Sequence, residues 1–99
     1  MRSGVPEAFE REMACTEAEW QRWLPQAVGS HPWDGDAHTA TVCIGEGLLH
    51  LRWRVGEPRV IALVRLPWLH VSFRFEGLSE AERSAFMRRF DLHMQRGGG

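Results

Sequence analysis

Between Thr39 and Phe75 apolar side chains return at every second residue, and the run is cut only at Glu46-Gly47, Gly56-Glu57-Pro58 and Pro67-Trp68. A period of two sends successive side chains to opposite faces of an extended chain, so the stretch buries one face as antiparallel strands joined by tight turns. The pattern predicts four strands: Thr39 to Ile44, Leu48 to Val55, Arg59 to Leu66 and Leu69 to Phe75. With Glu46-Gly47 as a two-residue turn, Ile44 faces Leu49, Val42 faces Leu51 and Ala40 faces Trp53. A loop over Gly56 to Arg59 sets Val55 against Val60 and Trp53 against Ala62, and a Pro67-Trp68 turn sets Leu66 against Leu69 and Val64 against Val71. The third strand is apolar on both faces. A slip of one residue there would turn Ile61 and Leu63 inward and Val60, Ala62 and Val64 outward.

Such a sheet needs a cover, and the chain supplies two amphipathic helices. Thr16 and Glu19 form a capping box ahead of Trp20, Trp23, Leu24, Ala27 and Val28 at helical spacing, with Pro25 loosening the final turn. Ser79 and Glu82 form a second box ahead of Ala85, Phe86, Phe90 and Met94. Residues 9–15, FEREMAC, fit either an edge strand or a helical turn, and Gly29 to Ala37 reads as a surface loop. The predicted fold is therefore α+β: a two-layer sandwich in which N- and C-terminal helices cover one face of a four-stranded antiparallel meander, in the order α-β-β-β-β-α with an extra N-terminal edge strand as an option. At 99 residues the chain is expected to form a single domain, 1–99, with mobile ends at about 1–8 and 97–99. Gly97 is expected to stop the last helix. The terminal glycines resemble the Gly-Gly end of ubiquitin-like and sulfur-carrier proteins, but there the tail leaves a strand and here it follows a helix.

Composition narrows the function classes. Apolar residues make up 43% and charged residues 25%, as in ordinary globular chains, and no window is apolar for long enough to cross a bilayer as a helix. The N-terminus has no apolar signal-peptide core, and the two cysteines, Cys15 and Cys43, are expected as free thiols in a reducing cytoplasm. Net charge is −1, yet residues 50–99 hold nine of the twelve arginines and only five of the thirteen carboxylates.

Under the register above, the face turned away from the helices reads Cys43, His50, Arg65, His70; then Thr41, Arg52, Leu63, Ser72; then Thr39, Arg54, Ile61, Arg74. Arginines around Ile61 and Leu63, with Trp68 at the adjoining turn, have the makeup of an interaction patch. The expected binding residues are Arg52, Arg54, Ile61, Leu63, Arg65, Trp68, His70, Ser72 and Arg74, and the expected partner is an acidic protein surface or a second copy, giving a homodimer. Nucleic acid is disfavoured, because single-strand binders stack bases on sheet aromatics and this face offers none. Two alternatives stand beside binding. Cys43 beside His50 could serve a small thiol enzyme, although no third group orients the histidine; a cavity lined by Trp20, Trp23, Phe86 and Phe90 between helices and sheet could hold a ligand. His31, Asp34, Asp36 and His38 could offer metal ligands, but their spacing matches no established motif, and hydrogen-bonded turns by the aspartates are expected instead. No cofactor motif is present.

Overall fold

The computed structural model describes residues 4–98, with side chains through Met94. The chain runs β1 (Ala8–Met13), α1 (Glu17–Val28), β2 (Trp33–Gly35), β3 (Thr39–Ile44), β4 (Gly47–Val55), β5 (Arg59–Ile61), β6 (Val64–Leu66), β7 (Leu69–Glu76) and α2 (Glu80–Gly98). The fold is α+β, with two helices and an antiparallel sheet of five strands, not four, in the order β1-β7-β4-β3-β2. Strands β5 and β6 form a separate two-stranded ribbon.

Both helices begin where the sequence places them. Thr16 Oγ1 accepts from the Glu19 N–H at 3.0 Å while the Glu19 carboxylate accepts from the Thr16 N–H at 3.0 Å. Ser79 and Glu82 repeat the exchange at 3.2 and 2.8 Å. Helix α1 continues past Pro25 to Val28 and ends at Gly29, whose φ of 75° is open to glycine at little steric cost. Helix α2 runs through Gly97 to Gly98, so Gly97 lies inside the helix, contrary to the expected stop.

Strand parity holds for three segments. Ala40, Val42 and Ile44 of β3, Leu49, Leu51 and Trp53 of β4, and Leu69, Val71, Phe73 and Phe75 of β7 are buried beneath the helices. There Trp20 packs on Trp53 and Phe90, and Phe90 meets Phe73 edge-on. The 9–15 ambiguity resolves as strand: β1 pairs along β7, with Phe9 opposite Phe73 and their rings stacked at 4.7 Å. Arg11 faces the helices and grips Asp91 of α2 through two hydrogen bonds of 2.6 and 3.1 Å. The segment before β1 is anchored by its backbone: the Val5 N–H donates to Glu80 and the Glu7 carbonyl accepts from Phe75.

Two registers differ from expectation. The hairpin turn is Gly45-Glu46, so Ile44 pairs with Gly47, Val42 with Leu49 and Ala40 with Leu51. Gly45 takes the left-handed position (φ 57°), while a Cβ on Gly47 would run into the Glu76 carbonyl and come within 2.7 Å of Leu78 Cγ. Parity survives because the shift is by two residues.

The larger correction concerns 59–66. Strand β4 pairs directly with β7, Val55 with Leu69 and Trp53 with Val71, and the ladder continues to Gly56, whose N–H donates to the Trp68 carbonyl at 2.8 Å. Beyond it the register changes, with Arg59 opposite Leu66 and Ile61 opposite Val64, so Glu57 and Pro58 on one strand oppose Pro67 alone on the other. Two prolines lacking an N–H interrupt the ladder at that point, and the extra residue bends the strands out of the sheet. The segment expected as the third strand is thus a ribbon at the end of the β4–β7 hairpin, and Val64, expected beneath the helices, is exposed. Trp33 to Gly35, expected as loop, adds a short edge strand to β3.

Candidate interaction surfaces

Removing 59–66 from the sheet separates the expected patch into two. On the open sheet face, cross-strand partners give the row Asp34, Thr41, His50, Arg74, Ala8 and the row Thr39, Arg52, Ser72, Glu10, followed by Arg54, His70 and Glu12. Six of the nine expected binding residues stay near this face: Arg52, Arg54, His70, Ser72 and Arg74 on it, and Trp68 at its margin. Ile61, Leu63 and Arg65 leave with the ribbon.

Strand β1 adds Glu10 and Glu12, which the sequence reading left off the surface. Alternation in FEREMAC was the available signal, since any strand with Phe9 and Met13 inward turns both glutamates outward. Glu12 Oε1 accepts from Arg59 at 3.0 Å, Glu12 Oε2 lies 3.6 Å from His70 Nδ1, and His50 Nε2 sits 2.9 Å from Glu76 Oε1. The hydrogen bond and charge of His50 hold the Glu76 carboxyl below its usual range, with Arg74 adding to the effect. Among the described residues, no hydrogen bond or ion pair engages the guanidinium groups of Arg52, Arg54 and Arg74. Small side chains around Arg52 and Arg74 leave a concavity of about 610 Å³, lined by Ala8, Thr39, Thr41 and Ser72 among others.

The ribbon carries the apolar half of the patch. Val60, Ile61 and Val64 are 62%, 61% and 55% exposed, Leu63 at the tip is 101% exposed, and Val55 at the base is 63% exposed. Its tip is turned by Ala62-Leu63, with Ala62 at φ 55°, a left-handed conformation that costs a residue with a Cβ about 1 kcal/mol or more. Its base is clamped. The Arg59 guanidinium lies 4.2 Å over the Trp68 ring while pairing with Glu12, and the Trp68 indole N–H is buried with no acceptor among the described residues.

Cys43 faces Leu48 and His50 faces Thr41, so the cysteine and histidine are diagonal and no hydrogen bond joins them, while Glu76, 2.9 Å from His50 Nε2, supplies the orienting group that the sequence does not reveal. His31 packs on Phe86 at 5.5 Å, His38 lies 3.4 Å from Glu17, and Asp36 accepts from the His38 and Thr39 N–H groups at 2.9 Å each. Those two backbone bonds, with the Thr39 hydroxyl, pull the Asp36 carboxyl below its ordinary pKa. No group of three metal-binding side chains assembles among the described residues. Trp20, Phe86 and Phe90 are packed in ring contacts, and the hollow between α1 and the sheet, about 390 Å³, opens beside Trp33 at the β2 edge instead. The chain matches no protein-family model and no curated protein.

Proposed function

We propose that this chain is a protein-interaction module that pairs with a second copy of itself through the β5–β6 ribbon. The observation that carries this reading is the exposure of Val60, Ile61, Leu63 and Val64 on one projecting ribbon, with exposed Val55 of β4 at its base. Together they present roughly 600 Å² of apolar surface, the upper end of what monomers leave in water. A ribbon with three residues per strand is also too small to be stable alone and gains from further packing.

A second copy is the occupant that this geometry favours. Cross-strand pairing puts Ile61, Val64 and Leu66 on one ribbon face, with Arg59 at its edge already bound to Glu12. A twofold axis sets that face against itself, an isologous contact that closes after two copies. With Leu63 at the tip included, the area buried would be on the order of 800 Å² in total, the size of a small, concentration-dependent interface. We propose a cytoplasmic home with it, supported by the exposed free thiol of Cys43, which a reducing compartment keeps unpaired.

Light scattering after size exclusion tests the proposal. The native chain is expected at twice its monomer mass at tens of micromolar, and Ile61→Asp with Val64→Asp at the monomer mass with an unchanged circular dichroism spectrum. A native chain that stays monomeric at several hundred micromolar would overturn it.

A further inference from the structure

The concave face supports a second inference, independent of the ribbon. Its centre holds Arg52 and Arg74, diagonal neighbours on β4 and β7, with Ser72 directly opposite Arg52. None of these three side chains has a hydrogen bond or ion pair among the described residues. Glu76, the carboxylate closest in sequence to Arg74, is engaged by His50. The centre therefore offers two planar forked donors and a hydroxyl that no hydrogen bond or ion pair engages, with Glu10 lining the same concavity and the Arg74 charge acting on Glu76 only at longer range.

The margins carry the opposite sign. Asp34 ends the Arg74 row on the β2 side and Glu10 ends the Arg52 row on the β1 side. A uniform polyanion such as single-stranded nucleic acid would meet repulsion at both margins, and the face has no aromatic platform for bases. The complementary ligand is negative in the middle and positive at both ends. Four interstrand steps separate β2 from β1 in the sheet order. At about 4.8 Å each they span roughly 19 Å, the length of about six extended residues. An open face also buries too little of a small molecule to hold it, whereas a peptide covers the whole width.

We infer that the concave face binds an extended peptide segment of a partner protein, with paired carboxylates at its centre held by Arg52, Arg74 and Ser72 and basic residues at its ends facing Asp34 and Glu10.

Fluorescence anisotropy with labelled peptides of about a dozen residues tests this. One peptide has an Asp-Glu centre between lysines, one has those charges exchanged, and a thymidine oligonucleotide serves as the polyanion. The acid-centred peptide is expected to bind saturably and at least tenfold tighter than either competitor. Arg52→Glu with Arg74→Glu, both exposed positions, is expected to reverse the preference toward the charge-exchanged peptide while keeping the native circular dichroism spectrum. Equal binding of the three probes, no binding of the acid-centred peptide, or an unaltered preference in the double variant would overturn the inference. Repeating the titration on the Ile61→Asp, Val64→Asp chain keeps the outcome separate from self-association, and the same preference is expected there.

Discussion

Trp20 and Trp53 stand side by side in the core, rings 5.5 Å apart, and are 0% and 3% exposed. Their indole nitrogens differ. Trp53 Nε1 donates to Glu17 Oε2 at 3.0 Å and to the Ala37 carbonyl at 3.1 Å, whereas Trp20 Nε1 is buried with no acceptor among the described residues. Tryptophan to phenylalanine at either site removes about 40 Å³ of ring, which at roughly 24 cal/mol per Å³ of residual cavity costs about 1 kcal/mol, with about 1 kcal/mol more for the lost apolar burial. At Trp20 the same change also deletes an unsatisfied buried donor, worth about 1 to 3 kcal/mol, so the net effect is expected within about 1 kcal/mol of zero. At Trp53 it deletes bonds to a carboxylate and a carbonyl, worth about 1.5 to 3 kcal/mol, on top of the cavity. Trp53→Phe should therefore cost about 3 to 5 kcal/mol. Because the cavity and burial contributions are alike at the two sites, the difference of about 4 kcal/mol isolates the N–H accounting. Urea unfolding followed by far-ultraviolet circular dichroism reads it, since fluorescence would change with the substitutions themselves. Equal destabilisation within 1 kcal/mol, or a larger loss at Trp20, would refute the reasoning.

Three further outcomes are expected. Gly47→Ala should lose about 1 to 3 kcal/mol in the same urea assay, because its Cβ would strike the Glu76 carbonyl and approach Leu78 Cγ to 2.7 Å and the Gly77 carbonyl to 2.8 Å; an unchanged midpoint would show that the β4–α2 junction yields freely. Burial, with the Glu19 charge second, pushes the Cys15 thiol from 9.0 up to about 11, so the native state favours the neutral thiol. That contribution is fully present below pH 9 and is lost as pH rises through about 11, amounting to roughly 2 to 3 kcal/mol at about 1.4 kcal/mol per pKa unit. Cys15→Ala should flatten the alkaline fall in stability, and an identical fall in both chains would contradict the assignment. Near neutral pH a thiol reagent should modify Cys43 in the native chain while Cys15 waits for unfolding.

What the sequence disclosed and concealed follows from which signals are local. Both capping boxes are complete within four residues, so Thr16 with Glu19 and Ser79 with Glu82 set the helix starts without reference to the fold. Parity along Thr39 to Ile44, Leu48 to Trp53 and Leu69 to Phe75 was legible for a similar reason, since each strand lies between the helices and water. The ribbon was not. Pro58 and Pro67 look like turn residues, yet the chain reverses at Ala62-Leu63, a pair with no turn chemistry, and the prolines mark where the ladder breaks. The two-sided apolarity of 59–66 was the surviving clue: a strand with one polar-facing side has no use for it, and a projecting ribbon does. Of the candidate site, Arg52, Arg54, Ser72 and Arg74 kept the face their parity assigned. Cys43 and His50 did not stay level because level position depends on which of two glycines turns the hairpin, and that is decided by Gly47 packing against Glu76 and Leu78, a contact between distant segments.

The two surfaces share one structural cause, which bears on how they could act together. The β4–β7 hairpin supplies Arg52 and Arg74 in its sheet half and Ile61, Leu63 and Val64 beyond the proline break, so cationic and apolar contacts sit on one continuous hairpin but on different elements. A short ribbon beyond such a break would swing unless its base were held, and a swinging arm loses binding energy to ordering on contact. Arg59 supplies the hold by stacking on Trp68 from the β7 side while its guanidinium reaches Glu12 on β1, across the strand between them. Glu12 also lies within 3.6 Å of His70 on the open face. The arm is therefore oriented by residues of the sheet, and the edge strand that gives the concave face its acidic margin also fixes where the apolar tip projects.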